Sequence, residues 1–387
     1  MTQLTLRMLR LIGAEINDAL VLSETPAFSE EELERLSSIA SAHGLTHLLA
    51  SALDRRGLLG KEEISEELRC EMLKTVWSYQ QKTFALEEIR RVLDACEIRY
   101  LPLKGAVLAG YYPAPWMRTS CDIDVLVSRV DLDAAASALE RELSYERRRE
   151  DTHDVSLYSP TGVHLELHFD LVEEGRARNA AEVLSTVWDT VRSEEGSYAC
   201  TLSDEMFYFY HVAHMAKHLE RSGGCGLRSF LDLWVLEHRV PHDGKARDEL
   251  LRRGGLLTFA KTARHLSEVW FGGGEADAEA LALQDFLLRG GAYGSAENRV
   301  TVEQGRRGGR VGFLLSRIFL SYGQLKYRYP ILQKHKWLFP IMQVVRWCSL
   351  PFGGRLRRSM SELQRSRTMS DETIREGEAA LRAFGLE

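Results

Sequence analysis

A β-rich stretch, residues 99–172, lies between two long regions of helical periodicity, and this arrangement limits the possible fold more than any other feature of the chain. Before residue 99, apolar residues recur at three- and four-residue intervals, the period of one buried helix face; the longest predicted helix covers 62–96. We expect these helices to serve packing alone. Helical periodicity returns over 180–288. The pattern predicts an α+β protein with a small mixed sheet inserted between helical regions.

Within the β-rich stretch, runs of β-branched residues alternate with turn residues. The segment CDIDVLVS at 121–128 alternates at period two, while DVSLYSP at 154–160 and GVHLELHFDL at 162–171 predict a hairpin. We therefore expect four segments: a helical region at 1–98, a mixed α/β core at 99–175, a second helical region at 176–300 and a basic helical tail at 301–387.

The overall charge and the cysteines exclude several classes of protein. Lys and Arg number 50 against 56 Asp and Glu, so a net charge of −6 gives the whole chain no attraction to a polyanion. The six cysteines are scattered without a CxxC pair, which is typical of reduced thiols rather than of disulfides or a zinc finger. Because the N-terminus lacks a signal-peptide core and no apolar stretch reaches the roughly 20 residues of a transmembrane helix, we expect a cytoplasmic protein.

The charge is unevenly distributed along the chain. Residues 301–368 contain fourteen Lys or Arg against two acids, which gives this span +12 and leaves −18 for the rest. Such a basic segment packs on the acidic body of its own chain or contacts an anionic partner. Because Trp337, Phe339 and Trp347 lie among the basic residues, the partner could be a membrane surface or RNA.

Two short acidic patterns suggest chemistry. In a strand, Asp122 and Asp124 would point to the same side, and Mg²⁺ is the cation that such a carboxylate pair favours. In HLELH, alternation places His164, Glu166 and His168 on one face. If the two strands are neighbours, Glu166 becomes a third carboxylate, either a metal ligand or a base. A solvated aspartate pair and the polar face of an edge strand are the structural alternatives, and Arg or Lys partners on these carboxylates would favour a scaffold.

Basic residues precede the acidic pair. Lys104 and Gly105 are predicted at a strand-to-helix turn, where free backbone N–H groups and the lysine charge suit a phosphate. Arg118 could contact a triphosphate in the same way. Taken alone, each of these residues is more often structural.

A histidine-rich helix is predicted after the β-rich stretch. In HVAHMAKHLE, the residues His211, His214 and His218 share one helical face, with Lys217 beside them. The face could hold Zn²⁺, form a satisfied histidine cluster, or line a cleft together with Arg228 and Asp232 of the next helix.

Taken together, these segments resemble a known family. The run LKGAVLAGYYPAPWMRTSCDIDVLV, with SIASAHGLTHLL, HLELHFDL, HVAHMAKHLE and LRSFLDL in this order, resembles the uncharacterised bacterial nucleotidyltransferase family of the DNA polymerase β-like superfamily. The resemblance implies that Asp122 and Asp124 hold one or two Mg²⁺ ions, with Glu166 at the third acidic position. It also implies that the Lys104-Gly105 turn replaces the Gly-Ser turn lining the NTP, and that the histidine helix forms a wall of the cleft. The residues expected to contact the nucleotide are Lys104, Gly105, Arg118, His168, His214, Lys217 and His218.

The function expected from this resemblance is Mg²⁺-dependent transfer of NMP from an NTP to an acceptor hydroxyl, with release of pyrophosphate. The acceptor is a small molecule, a peptide or a protein, with nucleic acid less favoured. The alternative is an inactive NTP-binding or regulatory module that retains the same fold.

Overall fold

A computed structural model describes residues 3–17, 27–150, 153–171, 177–292, 294–306, 309–349 and 370–386. Part of the predicted basic tail, residues 350–369, therefore lies outside the described residues.

The N-terminal region is helical, as predicted. Ser29 caps the second helix in a capping box with Glu32. The fourth helix is 33 residues long and packs against the core that follows. The helices are α1 (Gln3–Ile16), α2 (Glu30–Ala42), α3 (Thr46–Asp54) and α4 (Glu63–Ala95).

The core contains a five-stranded mixed sheet with the order β1-β2-β5-β4-β3. The strands β2 and β5 run parallel, whereas the other neighbours are antiparallel, and β4 and β5 form the predicted hairpin. Its elements are β1 (Tyr100–Pro102), α5 (Gly105–Leu108), β2 (Ile123–Val127), α6 (Leu132–Leu143), β3 (Glu146–Glu150), β4 (Asp154–Tyr158) and β5 (His164–His168), with 3-10 turns at Ala109–Tyr111 and Pro115–Met117. The α+β class is thus confirmed.

The two faces of the sheet have different environments. Val125 and Leu167 on one face join a hydrophobic core with Leu139 of α6. Asp124 and Glu166 lie on the opposite face, because adjacent residues of a strand alternate between faces. The polar face therefore opens toward the helical regions.

The C-terminal region returns to helices, with one small two-stranded ribbon. One hydrophobic core contains residues of both helical regions, including Leu49 of α3 and Phe230 of α10. Among the described residues, none of the helices has the length and apolar composition needed to cross a membrane. The elements are α7 (Ala180–Leu184), α8 (Val187–Thr190), β6 (Arg192–Ser193), β7 (Cys200–Thr201), α9 (Asp204–Ser222), α10 (Gly226–Arg239), α11 (Gly244–Arg253), α12 (Leu257–Ser267), a π-helical turn (Glu268–Gly272), α13 (Ala278–Gly290) and α14 (Ala296–Arg306).

A last group of helices follows the second helical region. Helix α16 packs on α17 and on α18, and α15 packs on α14. The C-terminal helix α19 packs against α14. Their bounds are α15 (Gly309–Ile318), α16 (Tyr322–Arg328), α17 (Ile331–Lys334), a 3-10 turn (Lys336–Leu338), α18 (Phe339–Ser349) and α19 (Asp371–Ala383).

Candidate active site

The three predicted carboxylates converge at the pairing of β2 with β5. Asp124 is in register with Glu166 on the neighbouring parallel strand, and Asp122 immediately precedes β2. Potential ligand atoms of Asp124, Glu166 and His168 lie within 4.8 Å of one another. A second such group consists of Asp122, His164 and Glu166. Glu166 belongs to both groups, so it joins the two aspartates into one cluster.

The chemistry of this cluster fits a divalent cation. Burial, and then the charge of Asp124, raise the pKa of Asp122. Such repulsion between neighbouring carboxylates is relieved when a cation binds between them. Carboxylate oxygens are the donors that Mg²⁺ takes in proteins, usually one or two together with water and substrate phosphates. Asp122, Asp124 and Glu166 therefore suit Mg²⁺.

Two side chains, Lys104 and His168, contact the same oxygen of Asp124. Lys104 Nζ donates to Oδ1 at 2.6 Å, and His168 Nε2 lies 2.8 Å from the same atom. Burial alone would raise the pKa of Asp124, but these two partners lower it. In the described part of the chain, neither Asp122 nor Glu166 forms an ion pair with a lysine or arginine. A cation at Asp124 must therefore share or displace the Lys104 contact.

His168 is placed to keep the carboxylates ionised. Its Nε2 lies 3.4 Å from Glu166 Oε2 as well as close to Asp124. Burial lowers the pKa of His168, but the hydrogen bonds to the two carboxylates raise it more. The hydrogen bond from His168 in turn lowers the pKa of Glu166. Glu166 is accordingly a weak base, which favours its role as a ligand.

The Lys104-Gly105 turn is tightly constrained. Lys104 has φ +43° and ψ −115°, a conformation that side-chain-bearing residues rarely adopt. A Cβ at Gly105 would lie 2.9 Å from Cβ of Ser120. The helix that follows, α5, has four residues, so it is a single turn. The turn was predicted from the sequence, but the contact of Lys104 with Asp124 was not.

Arg118 is engaged within the protein. Its Nε donates to Oδ1 of Asp232 at 2.6 Å, and Tyr112 Oη donates to the same atom at 2.7 Å. The neighbouring Arg228 donates from Nη1 to Thr119 Oγ1 at 3.2 Å. Arg118 lines the cleft, yet its described contacts connect the core to α10.

The histidine-rich helix is α9, and it faces the carboxylates across the cleft. The Nε2 atoms of His214 and His218 lie 3.1 Å apart. Burial lowers the pKa of His218 to about 4 and also lowers that of His214, so both rings are neutral near pH 7. His211 Nε2 lies 2.9 Å from Ser229 O of α10. His214, Lys217 and His218 all line the cleft, together with His211.

The cleft is an open cavity of about 1320 Å³ between the sheet and α9. Asp122, Asp124 and Glu166 lie on the side of the sheet, whereas basic residues line both this side and the side of α9 and α10. Sequence reasoning missed two of them, Arg149 and Arg221. Arg221 could have been found, because it follows His218 by three residues and continues the same helical face. The basic residues that line the cleft are Lys104, Arg118, Arg149, Lys217, Arg221 and Arg228.

A second cavity, of about 640 Å³, lies between α4 and the Lys104-Gly105 turn. It shares Gly105, Arg118, Ser120 and Asp122 with the cleft, so the two cavities meet at the acidic cluster. Contrary to the expectation that α4 serves packing alone, this helix lines the cavity with polar side chains. They are Thr75, Ser78, Tyr79, Lys82 and Thr83.

Lys82 has an unusual environment in this cavity. Its Nζ donates to Ser78 Oγ at 2.6 Å. Burial lowers the pKa of Lys82, although the nearby Cys121 and Asp122 raise it. The lysine therefore places a cationic or donor group in the second cavity, near the acidic cluster.

Comparison with known proteins gives one match. A family model described as "Uncharacterised nucleotidyltransferase" matches residues 29–272, well over half of the chain. The matched region runs from the capping box of α2 to the π-helical turn and includes the acidic cluster, the Lys104-Gly105 turn and α9. No curated protein matches the chain. The chain belongs to the uncharacterised nucleotidyltransferase family.

Proposed function

We propose that the protein is a Mg²⁺-dependent nucleotidyltransferase of the polymerase β-like type, which transfers NMP from an NTP to an acceptor hydroxyl. The observation that carries this proposal is the convergence of Asp122, Asp124 and Glu166 beside a cleft with basic walls. We assign the catalytic core to 99–175, with the helical regions at 1–98 and 176–300 forming the cavity walls and 301–387 as a separate segment.

The carboxylates would hold one or two Mg²⁺ ions, which supply charge stabilisation at the reacting phosphate. His168 acts as a positioning residue, because its hydrogen bonds keep Asp124 and Glu166 ionised and oriented. In the reaction, the acceptor oxygen forms a bond to the α-phosphorus and loses its proton. The bond from the α-phosphorus to the bridging oxygen breaks, and pyrophosphate leaves.

The triphosphate is proposed to lie along the basic walls of the cleft. Lys217 and Arg221 of α9 and Arg228 of α10 line the side opposite the carboxylates. Cationic side chains suit a highly charged triphosphate, since charge-assisted hydrogen bonds to phosphate are the strong ones. The neutral rings of His214 and His218 add hydrogen-bond donors for the phosphates without changing the net charge of the cleft.

The acceptor is proposed to enter through the second cavity. This cavity reaches Asp122, so a hydroxyl placed there would approach the α-phosphorus from the side opposite the basic walls. The wall of this cavity is mostly apolar, with Lys82 and a few hydroxyl groups as its polar points, so it suits an acceptor that presents a hydroxyl on an apolar body. Lys82→Met should impair transfer to such an acceptor while leaving NTP binding in the cleft unchanged.

The proposal is tested by pyrophosphate release. Asp122→Asn and Asp124→Asn should abolish release from NTP and Mg²⁺ in the presence of a panel of hydroxyl acceptors. The matched control is Asp170→Asn, an exposed carboxylate paired with Arg129 at the surface. Undiminished release by both active-site variants would contradict the proposal.

A regulatory NTP-binding module is the second candidate, and the Lys104–Asp124 ion pair favours it. Such a module would bind NTP in a Mg²⁺-dependent manner without pyrophosphate release. Isothermal titration with each NTP, with and without Mg²⁺, measures binding. Release assays on the same samples then distinguish the module from the enzyme.

A further inference from the structure

Helix α18 buries polar side chains and exposes apolar ones, which is the reverse of the usual arrangement. Its polar residues Gln343 and Arg346 are buried, with 5% and 6% exposure. Its apolar residues Ile341, Val344 and Val345 are exposed, Val344 at 52%. A surface helix of a soluble protein normally turns its apolar face inward.

Hydrogen bonds fix this orientation. Arg346 Nη1 donates to Ile318 O at 2.8 Å, and Trp347 Nε1 donates to the same carbonyl at 2.7 Å. Gln343 Nε2 donates to Leu320 O at 2.5 Å. The accepting carbonyls lie at the end of α15 and just beyond it, where a helix has no donors of its own. The polar face of α18 is thus held inward, and its apolar face must point out.

The exposed apolar face continues onto α15. The rings of Phe319 and Trp347 lie 5.4 Å apart, which links the two helices into one surface. Trp337, just before α18, is 71% exposed. Soluble monomers rarely expose large apolar patches, and those that exist mark an interaction site. The exposed apolar residues of this surface are Leu314, Leu315, Ile318, Phe319, Ile331, Trp337, Ile341, Val344, Val345 and Trp347; we call them the apolar surface.

The charge around the apolar surface identifies the kind of partner. The sequence from 309 to 349 contains seven Lys or Arg and no Asp or Glu. Lys334 and Lys336, beside Trp337, are exposed. Two copies of this surface would therefore repel each other. RNA would be attracted by the charge and could stack on Phe319, Trp337 or Trp347, but the other seven residues of the apolar surface are aliphatic and offer a base nothing to stack on.

We propose that the apolar surface inserts shallowly into an anionic lipid bilayer, with Lys334 and Lys336 contacting the headgroups. Interfacial helices combine these features: an apolar face that enters the acyl boundary, a tryptophan, and flanking lysines. Basic residues near an anionic surface add attraction. The surface lies beyond residue 272, where the family match ends, so this inference does not depend on nucleotidyl transfer.

The test is co-sedimentation of the full chain with vesicles of phosphatidylcholine alone or mixed with phosphatidylglycerol. We expect binding to the mixed vesicles and little to the neutral ones. Trp337→Ala should weaken binding about tenfold, since it removes a buried indole from the membrane. The matched control is Trp77→Ala on α4, a tryptophan with 66% exposure outside the apolar surface. Lys334→Gln and Lys336→Gln should each weaken binding about fivefold, whereas exposed Lys61→Gln should not.

Three outcomes would overturn the proposal. One is equal binding to neutral and anionic vesicles, or no binding to either. Another is retention of full binding in Trp337→Ala. The third is a dimer, seen by light scattering, that Trp337→Ala converts to a monomer without any effect on vesicle binding. Because Trp337, Lys334 and Lys336 are exposed, circular dichroism should show an unchanged fold in all three variants.

Discussion

Replacing Lys104 tests the proposed cation site without an activity assay. In the structure, its amine occupies Oδ1 of buried Asp124 at 2.6 Å. Lys104→Ala removes this donor and leaves His168 as the remaining one on that oxygen. A hydrogen bond to a charged group contributes about 1.5 to 3 kcal/mol. Without metal, we therefore expect the free energy of unfolding of Lys104→Ala to fall by about 2 kcal/mol.

The same contact sets the effect on Mg²⁺ affinity. If the cation must displace Lys104, removing the amine eliminates that cost, and about 2 kcal/mol corresponds to roughly thirtyfold tighter binding. Mg²⁺ at ten times its Kd stabilises a folded protein by about 1.4 kcal/mol. Lys104→Ala should therefore regain much of its lost stability at Mg²⁺ concentrations that barely affect the wild type.

Thermal melts over a Mg²⁺ titration measure this difference. The control is the double variant Lys104→Ala, Asp124→Asn. The introduced asparagine keeps the side-chain volume of the aspartate but lacks the negative charge that would bind Mg²⁺. Lys104→Gly should be about 0.5 to 1 kcal/mol more stable than Lys104→Ala, since glycine accepts the positive φ. Equal Mg²⁺ stabilisation of the wild type, Lys104→Ala and the double variant would refute the reasoning.

Two further predictions concern buried polar contacts. The raised pKa of His168 means that its stabilising contribution is complete below about pH 6.5 and is lost as pH rises through the folded-state pKa. In EDTA, the Tm difference between wild type and His168→Gln should therefore shrink as pH rises above about 6.5, and a widening difference would contradict the assignment. Arg118→Ala should lower the free energy of unfolding in urea by about 3 to 5 kcal/mol, because it leaves buried Asp232 without its cationic partner. Arg129→Ala, which breaks an exposed pair, should cost about 0 to 1 kcal/mol, and equal costs would argue against the buried pair.

The convergence of the carboxylates was accessible from sequence because it depends on strand periodicity. Residues two apart in a strand share a face, so the sequence pattern predicts which side chains lie on the same face as Asp122 and as Glu166. The pairing of β2 with β5 had to be assumed. Helix α6 and the strands β3 and β4 lie between them in the sequence, so several strand orders in the sheet are possible. The family resemblance supplied the link, and the register then brought Asp124 level with Glu166.

The ionic contacts of the site could not be predicted from strand periodicity. The Lys104–Asp124 pair depends on a backbone angle of φ +43° at a lysine, which sequence statistics disfavour. The contact of Arg118 with Asp232 joins residues 114 positions apart in two different elements. The polar lining that α4 gives to the second cavity was missed because its apolar residues dominate the periodicity. Long-range polar contacts of this kind depend on tertiary placement rather than on local pattern.

Helix α18 shows that an apolar stripe in the sequence predicts an apolar helix face but not whether that face packs against the protein or is exposed. Periodicity alone would place Ile341, Val344 and Val345 against the protein. The carbonyls at the end of α15, however, have no partners within their own helix and must find donors elsewhere. Gln343 and Arg346 supply donors from the opposite side of the helix, and Trp347 Nε1 supplies a third. Hydrogen-bond satisfaction thus decides the orientation, and the apolar stripe is stable only where something other than water covers it.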